Sequence, residues 1–447
     1  MTQENVTVPV YRQFACQACG YVYDEALGSP KDNLPAGTRF VQMNDTWQCP
    51  LCGAPKHEFE PLGHAPSSLA TQAECPSHGV VVIGAGLAGW SMVDAIRALD
   101  KAVRITLISA DDADRYHKPM LSVAISQNKT PSDLVRATGT KSAMDLDVKL
   151  LANTKVTSID GQAKVVQTAQ GVVAYDKLVL AIGANPIYPP MIDSRHVAHI
   201  NHLHAFAKLQ QRLGTGSKNV AIIGAGMVGT EFAEDLIKAG HQVSLIDRHD
   251  CPLASLLPSV VGARILSALQ NLGLTWLGGS RLDDVGRCEQ GYRLCLTKDS
   301  VQSQLLFDEV VVATGLMVDG ALPTSAGLIF DERAGIVVDP QTLQTSQADI
   351  YALGDCIGID GVACRYVAVH RPQAATIAHQ ILNRPHTGYA HQAPMIRLKN
   401  KCVSVSANGN PKADGDWQVI TDNDNELVLQ MVSADKIVAK VVLKIGQ

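Results

Sequence analysis

The stretch His78-Gly-Val-Val-Val-Ile83-Gly84-Ala-Gly86-Leu-Ala-Gly89 decides the architecture of most of this chain. Its apolar, β-branched run reads as a short buried strand, and the glycine-spaced turn behind it opens a helical segment ending near Leu99. Glycines at these three positions permit a tight turn, close approach of a pyrophosphate and packing of helix on strand, with phosphate at the helix N-terminus. A single pattern of this kind is weak evidence. The chain repeats it: Asn219-Val-Ala-Ile-Ile223 runs into Gly224-Ala-Gly226-Met-Val-Gly229, a helix to Ala239 closed by Gly240, and a second strand His241 to Ile246. Two copies with strand, turn and helix in order imply an α/β protein that holds two dinucleotides.

The residue that ends each second strand sorts the copies. Downstream, Asp247 follows Gln242-Val-Ser-Leu-Ile246, where a carboxylate accepts from ribose hydroxyls and repels a 2′-phosphate, so NADH is expected over NADPH. Arg248 follows at once and keeps NADPH open. Upstream, Arg104-Ile-Thr-Leu-Ile108 ends in Ser109, not an acid, ahead of Ala110-Asp111-Asp112, which leaves the ribose contact there unassigned.

The first sixty residues carry different chemistry. Cys16 and Cys19, then Cys49 and Cys52, form two Cys-x-x-Cys pairs with 29 residues between them, each followed by glycine (Gly20, Gly53). Such a turn puts two thiolates on one metal, and the glycine allows the positive φ that frees backbone N–H groups to bond sulfur. The resulting S4 donor set suits iron or zinc, so spacing alone leaves a structural zinc module open. Phe14, Tyr21, Tyr23, Phe40, Trp47 and Phe59 would form the core of a domain too small to fold well without its metal. Gly63 to Ser77, rich in small residues and proline, reads as a linker of roughly fifteen residues that could reach about 50 Å if extended.

At 447 residues, 46% hydrophobic and 18% charged, the chain is expected to be multidomain and globular rather than fibrous or disordered. A net charge of -5 with no basic run argues against nucleic acid as a partner. With no signal-like N-terminus and no apolar run long enough for a bilayer, a cytoplasmic location is expected. Eleven cysteines in that setting point to metal ligation or redox chemistry before disulfides.

Phe14-Ala-Cys16 through Trp47-Gln-Cys49-Pro-Leu-Cys52 to Phe59 resembles rubredoxin from end to end, which implies one iron held by Cys16, Cys19, Cys49 and Cys52. Met43-Asn44 departs from the usual proline and acid, in what is expected to be a surface turn. From His78 onward the chain resembles the pyridine-nucleotide flavin reductases, specifically the rubredoxin reductases. Leu178-Val-Leu-Ala-Ile-Gly183 and Val310-Val-Val-Ala-Thr-Gly315 look like the crossovers between its FAD and NAD domains. Asp349-Ile-Tyr-Ala-Leu-Gly354-Asp355 looks like its second FAD motif, whose aspartate bonds the ribityl chain. The resemblance therefore implies FAD at Gly84, Gly86, Gly89, Gly183 and Asp355, and NADH at Gly224, Gly226, Gly229, Asp247 and Gly315. Lys118 resembles the family lysine at the isoalloxazine, and Glu231 the acid it pairs with where nicotinamide stacks, so a Lys118–Glu231 ion pair is expected at the flavin. The run Arg365-Tyr-Val-Ala-Val-His370-Arg-Pro372-Gln begins a helix that continues to about Leu382 and would face the flavin pyrimidine with its positive end; His370 itself reads as a flavin neighbour or as a packing residue. Tyr116-His-Lys118-Pro119-Met-Leu-Ser122 occupies the place where disulfide reductases of the superfamily carry a Cys-x4-Cys pair, and it has no cysteine. The remaining Cys75, Cys251, Cys288, Cys295, Cys356, Cys364 and Cys402 offer no dithiol relay and read as small buried hydrophobes.

The expected fold class is a small metal-stabilised rubredoxin fold followed by an α/β flavoprotein with two Rossmann-like dinucleotide-binding domains and a small, mostly β C-terminal domain. The boundaries expected are 9–62 for the rubredoxin domain, 63–77 for the linker, 78–195 and 319–379 for the FAD domain, 196–318 for the NAD(P)H domain and 380–447 for the C-terminal domain. The implied function is electron transfer from NADH through FAD to the iron centre, then to an external redox protein such as an alkane hydroxylase or an oxygen, peroxide or nitric oxide reductase. The rival reading is a flavin reductase of other iron-sulfur or flavodiiron acceptors that carries a structural zinc docking module.

Overall fold

The computed structural model describes residues 11–16, 22–29, 32, 34–50, 55–61, 79–391, 395–411 and 413–446. The chain divides into two compact units, a small N-terminal one and a larger one of residues 75–192 and 198–447.

In the small unit, strand β1 (Gln13–Cys16) lies between β2 (Val22–Asp24) and β3 (Phe59–Pro61), antiparallel to both. Phe14, Tyr23, Phe40, Met43, Cys49 and Phe59 are buried together. Phe14 stacks on Phe40 at 4.2 Å between ring centres, and Trp47 meets Phe40 and Tyr23 edge-on, the offset and T-shaped arrangements that aromatic quadrupoles favour. Met43 is a correction to the sequence reading: it is 5% exposed and belongs to this core. An unbranched thioether fills an irregular gap between rings, which residue type alone did not reveal. Glu25 is also buried, and its carboxylate accepts from the backbone N–H of Arg12 (2.9 Å) and Phe40 (2.9 Å) and from the Arg39 guanidinium (2.7 Å). Burial works to raise its pKa, but Arg39 and the two backbone donors outweigh it and hold the carboxyl below its ordinary value.

The larger unit begins with a five-stranded parallel sheet. Its strands are β4 (Val80–Ile83), β5 (Ile105–Ile108), β6 (Lys149–Leu151), β7 (Lys177–Leu180) and, from far along the chain, Ile350–Ala352, in the spatial order 350–352, β7, β4, β5, β6. Every residue of β4 and β5 is buried, as expected of parallel strands covered on both faces. Helix α1 (Leu87–Leu99) covers the sheet with Met92, Val93 and Ile96, each fully buried and each contributing about 1.5–3 kcal/mol.

Helix α2 (Leu203–Leu213) precedes the second parallel sheet, whose strands are β8 (Asn219–Ile223), β9 (Gln242–Ile246), β10 (Thr275–Leu277) and β11 (Glu309–Val312), in the spatial order β10, β9, β8, β11. Helix α3 (Met227–Lys238) joins β8 to β9. Helix α4 (His370–Ile381) then packs against α1, and the chain ends in a five-stranded antiparallel sheet built from Ile396–Arg397, Val403–Gly409, Asp416–Asp422, Glu426–Ser433 and Lys436–Ile445. Among the described residues no helix is long and apolar enough to cross a membrane.

Glu25 gives the small unit a testable pH dependence. Because its folded pKa is depressed, it adds stability above its unfolded pKa and loses it as pH falls through the folded value. Glu25→Gln should cost about 1–3 kcal/mol at neutral pH and flatten the acid-side decline of the unfolding midpoint, measured by denaturant titration of the full chain.

Candidate active site

Both glycine turns have the geometry their spacing implies. Gly84 has φ +101°, and a Cβ there would sit 2.3 Å from the Ala181 carbonyl oxygen; one on Gly89 would fall 1.8 Å from the Gly84 oxygen. The downstream turn repeats this, with Gly224 at φ +103° and 2.6 Å from the Ala313 oxygen, and Gly229 at 1.9 Å from the Gly224 oxygen. These four positions are closed by backbone, so only glycine fits. Gly86 and Gly226 differ: a Cβ on either would meet nothing within 4 Å. Each is the N-cap of its helix (α1 or α3) with no capping side chain, so orphan N–H groups face open space. A concave turn that the protein itself leaves unfilled, at the positive end of a long helix, fits a pyrophosphate in both copies.

Asp247, at the end of β9, is tied to the downstream turn. One carboxylate oxygen accepts from Ala225 N–H (2.7 Å), and the other accepts from the N–H of His249 (2.9 Å) and lies 2.7 Å from its Nδ1. At the matching upstream place Ser109 donates its hydroxyl to Asp111 (2.5 Å), whose other oxygen is 2.8 Å from His202 Nε2. Burial of Asp111 is outweighed by His202 and Ser109, which hold the carboxyl well below the usual range. His202 Nδ1 accepts from the N–H of His204, capping α2. The chain therefore places an ionised carboxylate two residues past the position where sequence reading looked for one.

Gly183 (φ +67°) and Gly315 (φ +109°) lie in turns whose following residues pair: Asn185–Pro186 runs antiparallel to Leu316–Met317, and Ile187 N–H donates to the Gly315 carbonyl (3.0 Å). The two crossovers are thus brought together as one narrow ribbon.

The expected Lys118–Glu231 ion pair is not formed. Lys118 Nζ lies 3.5 Å from Asp355 Oδ2. Glu231, 2% exposed, instead receives the Ser122 hydroxyl (2.7 Å), the backbone N–H of Lys399 (3.0 Å) and the Lys399 ammonium. The physical reason is that a buried carboxylate is satisfied by the donors nearest to it, and the C-terminal domain delivers them first. Lys399 and Ser122 are the residues that sequence reading missed. Lys399 lies in a polar Lys-Asn-Lys run whose bland reading is a solvated loop, and no spacing signal marks it.

Asp355, following Gly354 at φ +79°, sits between two basic side chains, with His370 Nε2 3.7 Å from Oδ1 on the side opposite Lys118. Its burial works to raise the pKa, but His370 and Lys118 overcome this and hold it low. Of the cysteines outside the N-terminal pairs, Cys75 lies outside the described residues, and the other six form no disulfide. Burial pushes the thiols of Cys356 and Cys402 up to about 12, far from thiolate character. Cys288 is exposed rather than buried, a departure from expectation.

In the small unit, Cys49 is fully buried within the aromatic cluster, and Cys16 ends β1 opposite Phe59. Cys19 and Cys52 lie outside the described residues. A cysteine buried in an aromatic cluster, as Cys49 is, fits a thiolate ligand shielded from water, and an S4 donor set suits a single metal ion.

Two dinucleotide cradles on parallel sheets, joined by paired crossovers, define a two-dinucleotide oxidoreductase. The chain matches the pyridine nucleotide-disulphide oxidoreductase model over residues 78–381 and the rubredoxin model over residues 13–59. It belongs to the pyridine nucleotide-disulphide oxidoreductase family and carries a rubredoxin domain. The family implies FAD and a nicotinamide dinucleotide, and the rubredoxin domain implies iron. Similar curated proteins include the nitric oxide reductase FlRd-NAD(+) reductase of Escherichia fergusonii, 35% identical over 367 residues that cover 82% of this chain and 95% of that one. The Escherichia coli protein of the same name is 34% identical with the same coverage. Solved structures with the same fold include the putidaredoxin reductase–putidaredoxin complex (TM-score 0.74, 23% identity, 82% of this chain and 90% of that one). NADH:rubredoxin oxidoreductase from Clostridium acetobutylicum is another (TM-score 0.66, 21% identity, 82% and 91%).

The two kinds of glycine separate binding from folding. Gly226→Ala should leave the FAD-loaded protein folded, with an unchanged thermal midpoint, but raise KM for NADH at least tenfold. Gly229→Ala drives a Cβ into backbone and should yield insoluble or flavin-free protein; equal behaviour of the two variants in thermal melts would sink this distinction.

Proposed function

We propose that the enzyme takes electrons in pairs from NADH through FAD, passes them singly to a one-iron centre on Cys16, Cys19, Cys49 and Cys52, and delivers them to an external redox protein. The observation that carries this reading is the pairing of two dinucleotide cradles with a rubredoxin domain in a chain without a working dithiol. FAD held there would supply two-electron acceptance from reduced nicotinamide and one-electron release, which a one-iron centre requires.

This chain's own residues bind and orient rather than exchange protons. Gly84, Gly86 and Gly89 with the N-terminus of α1 would seat the FAD pyrophosphate, and Asp355 its ribityl chain. Gly224, Gly226 and Gly229 with α3 would seat the nicotinamide dinucleotide, while Asp247, pinned by Ala225 and His249, presents a carboxylate to its ribose. Gly183 and Gly315 bring the crossovers close to both. Lys118 and Glu231 act at the flavin through different partners, Asp355 for the first and Lys399 for the second. Placing the two rings in contact is the main catalytic contribution of such a site.

The name shared by the 34–35% identical relatives favours a nitric oxide-reducing protein as acceptor over an alkane hydroxylase or an oxygen or peroxide reductase. Anaerobic stopped-flow mixing of the full chain with NADH should bleach the flavin first and the ferric thiolate absorption second. Bleaching of the flavin alone, or a colourless protein with one zinc, would instead support a zinc docking module.

Cofactor choice has its own test. Removing the Asp247 carboxylate removes repulsion of a 2′-phosphate and frees His249 beside Arg248, so Asp247→Ala should lower the NADH-over-NADPH ratio of kcat/KM at least tenfold.

A further inference from the structure

His370 is 6% exposed, yet among the described residues neither ring nitrogen has a hydrogen-bond partner. A buried imidazole left unpaired is costly unless something completes it. It stands at the start of α4, directly against the Gly354–Asp355 turn. A Cβ on Gly354 would meet Ala88 Cβ at 2.7 Å and His370 Nε2 at 3.4 Å, so the turn closes over the ring. One helical turn along, Gln373 accepts from the Gly354 N–H (2.9 Å). The same helix thus grips this turn twice, with a made bond from Gln373 and an unmade one from His370, whose Nε2 stops 3.7 Å from Asp355 Oδ1. Lys118 holds the other oxygen at 3.5 Å.

We propose that His370 is a positioning residue for FAD. Its Nε2–H closes on Asp355 Oδ1 when the dinucleotide engages that carboxylate, and so fixes the aspartate's orientation toward the ribityl chain. A packing residue would not need nitrogens at this place; an apolar ring or a leucine would fill the space without the desolvation cost. The proposal rests on the reading that Asp355 binds FAD.

The test compares His370→Leu, His370→Gln and His370→Asn with Asp355→Asn, measuring FAD affinity by fluorescence titration of the apoprotein and thermal stability with and without FAD. In His370→Leu the apoprotein should be at least as stable as the parent, because an orphaned polar group is gone, while FAD binds at least tenfold more weakly. Glutamine, whose Nε2 can reach the position of the imidazole Nε2, should restore affinity to within about threefold; asparagine, one methylene shorter, should not. If His370→Leu does not fold, the glutamine and asparagine variants decide the matter by themselves. FAD affinity within twofold of the parent in His370→Leu, equal loss of stability in apo and loaded protein, or equal affinity in the glutamine and asparagine variants overturns the proposal. Unchanged FAD binding in Asp355→Asn instead overturns the reading beneath it, and the two failures are distinct.

Discussion

Three carboxylates on one helix, Glu231, Glu234 and Asp235, are each no more than 3% exposed. At spacings of three and four residues they share a face of α3. Buried charges must be paired or they unfold the site that holds them, and removing a partner of such a charge typically costs about 3–5 kcal/mol. Their partners come from two distant stretches. Ser122 reaches Glu231; the backbone N–H groups of Ile125 and Ser126 and the Ser126 hydroxyl reach Asp235. Lys399, Asn400, Lys401 and Cys402 supply the rest, with Lys238 from the helix itself. Burial raises the pKa of Asp235 despite its three donors, whereas in Glu234 burial is outweighed by Lys238, Asn400, Cys402 and Lys401, and the pKa falls. The helix cannot move away from either stretch without stranding charge.

That constraint reaches the chemistry through the helix itself. The residue that caps α3 is Gly226, at the mouth of the downstream cradle, and Glu231 lies five residues on, about 7.5 Å along the axis. Whatever fixes Glu231 therefore also fixes the turn at Gly226. On the other side α1 begins at Gly86 and is clamped by α4, whose first residue faces Asp355. Each glycine turn opens one helix, and that helix is fixed by contacts along its length, α1 by packing against α4 and α3 by its buried carboxylates.

Much of the fold was legible because it depends on backbone. The strand-turn-helix order around Gly84 and Gly224 follows from sterics that admit only glycine, and the small, mostly β C-terminal domain expected from the sequence is the final antiparallel sheet. Side-chain partners were far less legible. Lys118 and Glu231 were expected to meet because each was read against a familiar pattern, but pairing is settled by three-dimensional proximity, and residue 399 lies 168 positions from residue 231. Met43 was hidden for the same reason: nothing local distinguishes a thioether that fills a core gap from one on a surface turn. Asp111 was in view, but only geometry shows that the Ser109 hydroxyl donates to it.

The crossovers explain why a joint of buried charge is needed at all. The two parallel sheets are connected by residues 181–218 and 313–349, and these segments pair over only two residues each, Asn185–Pro186 with Leu316–Met317, supplemented by Thr314 donating to Ile187 (2.5 Å). A two-residue ribbon is a weak element on its own, and the glycines at its base, Gly183 and Gly315, turn easily in both senses. Left to the ribbon, one sheet could swing against the other and the two ring systems would lose register. Hydride transfer tolerates little misplacement, since reacting atoms must approach to about 3–3.5 Å. The acid face of α3 supplies the stiffness that the ribbon lacks. It does so through Ser122, Ile125 and Ser126, while Lys399 to Cys402 tie the C-terminal domain to the same helix, so that domain is a structural part of the α3 side of the enzyme and not an appendage to it.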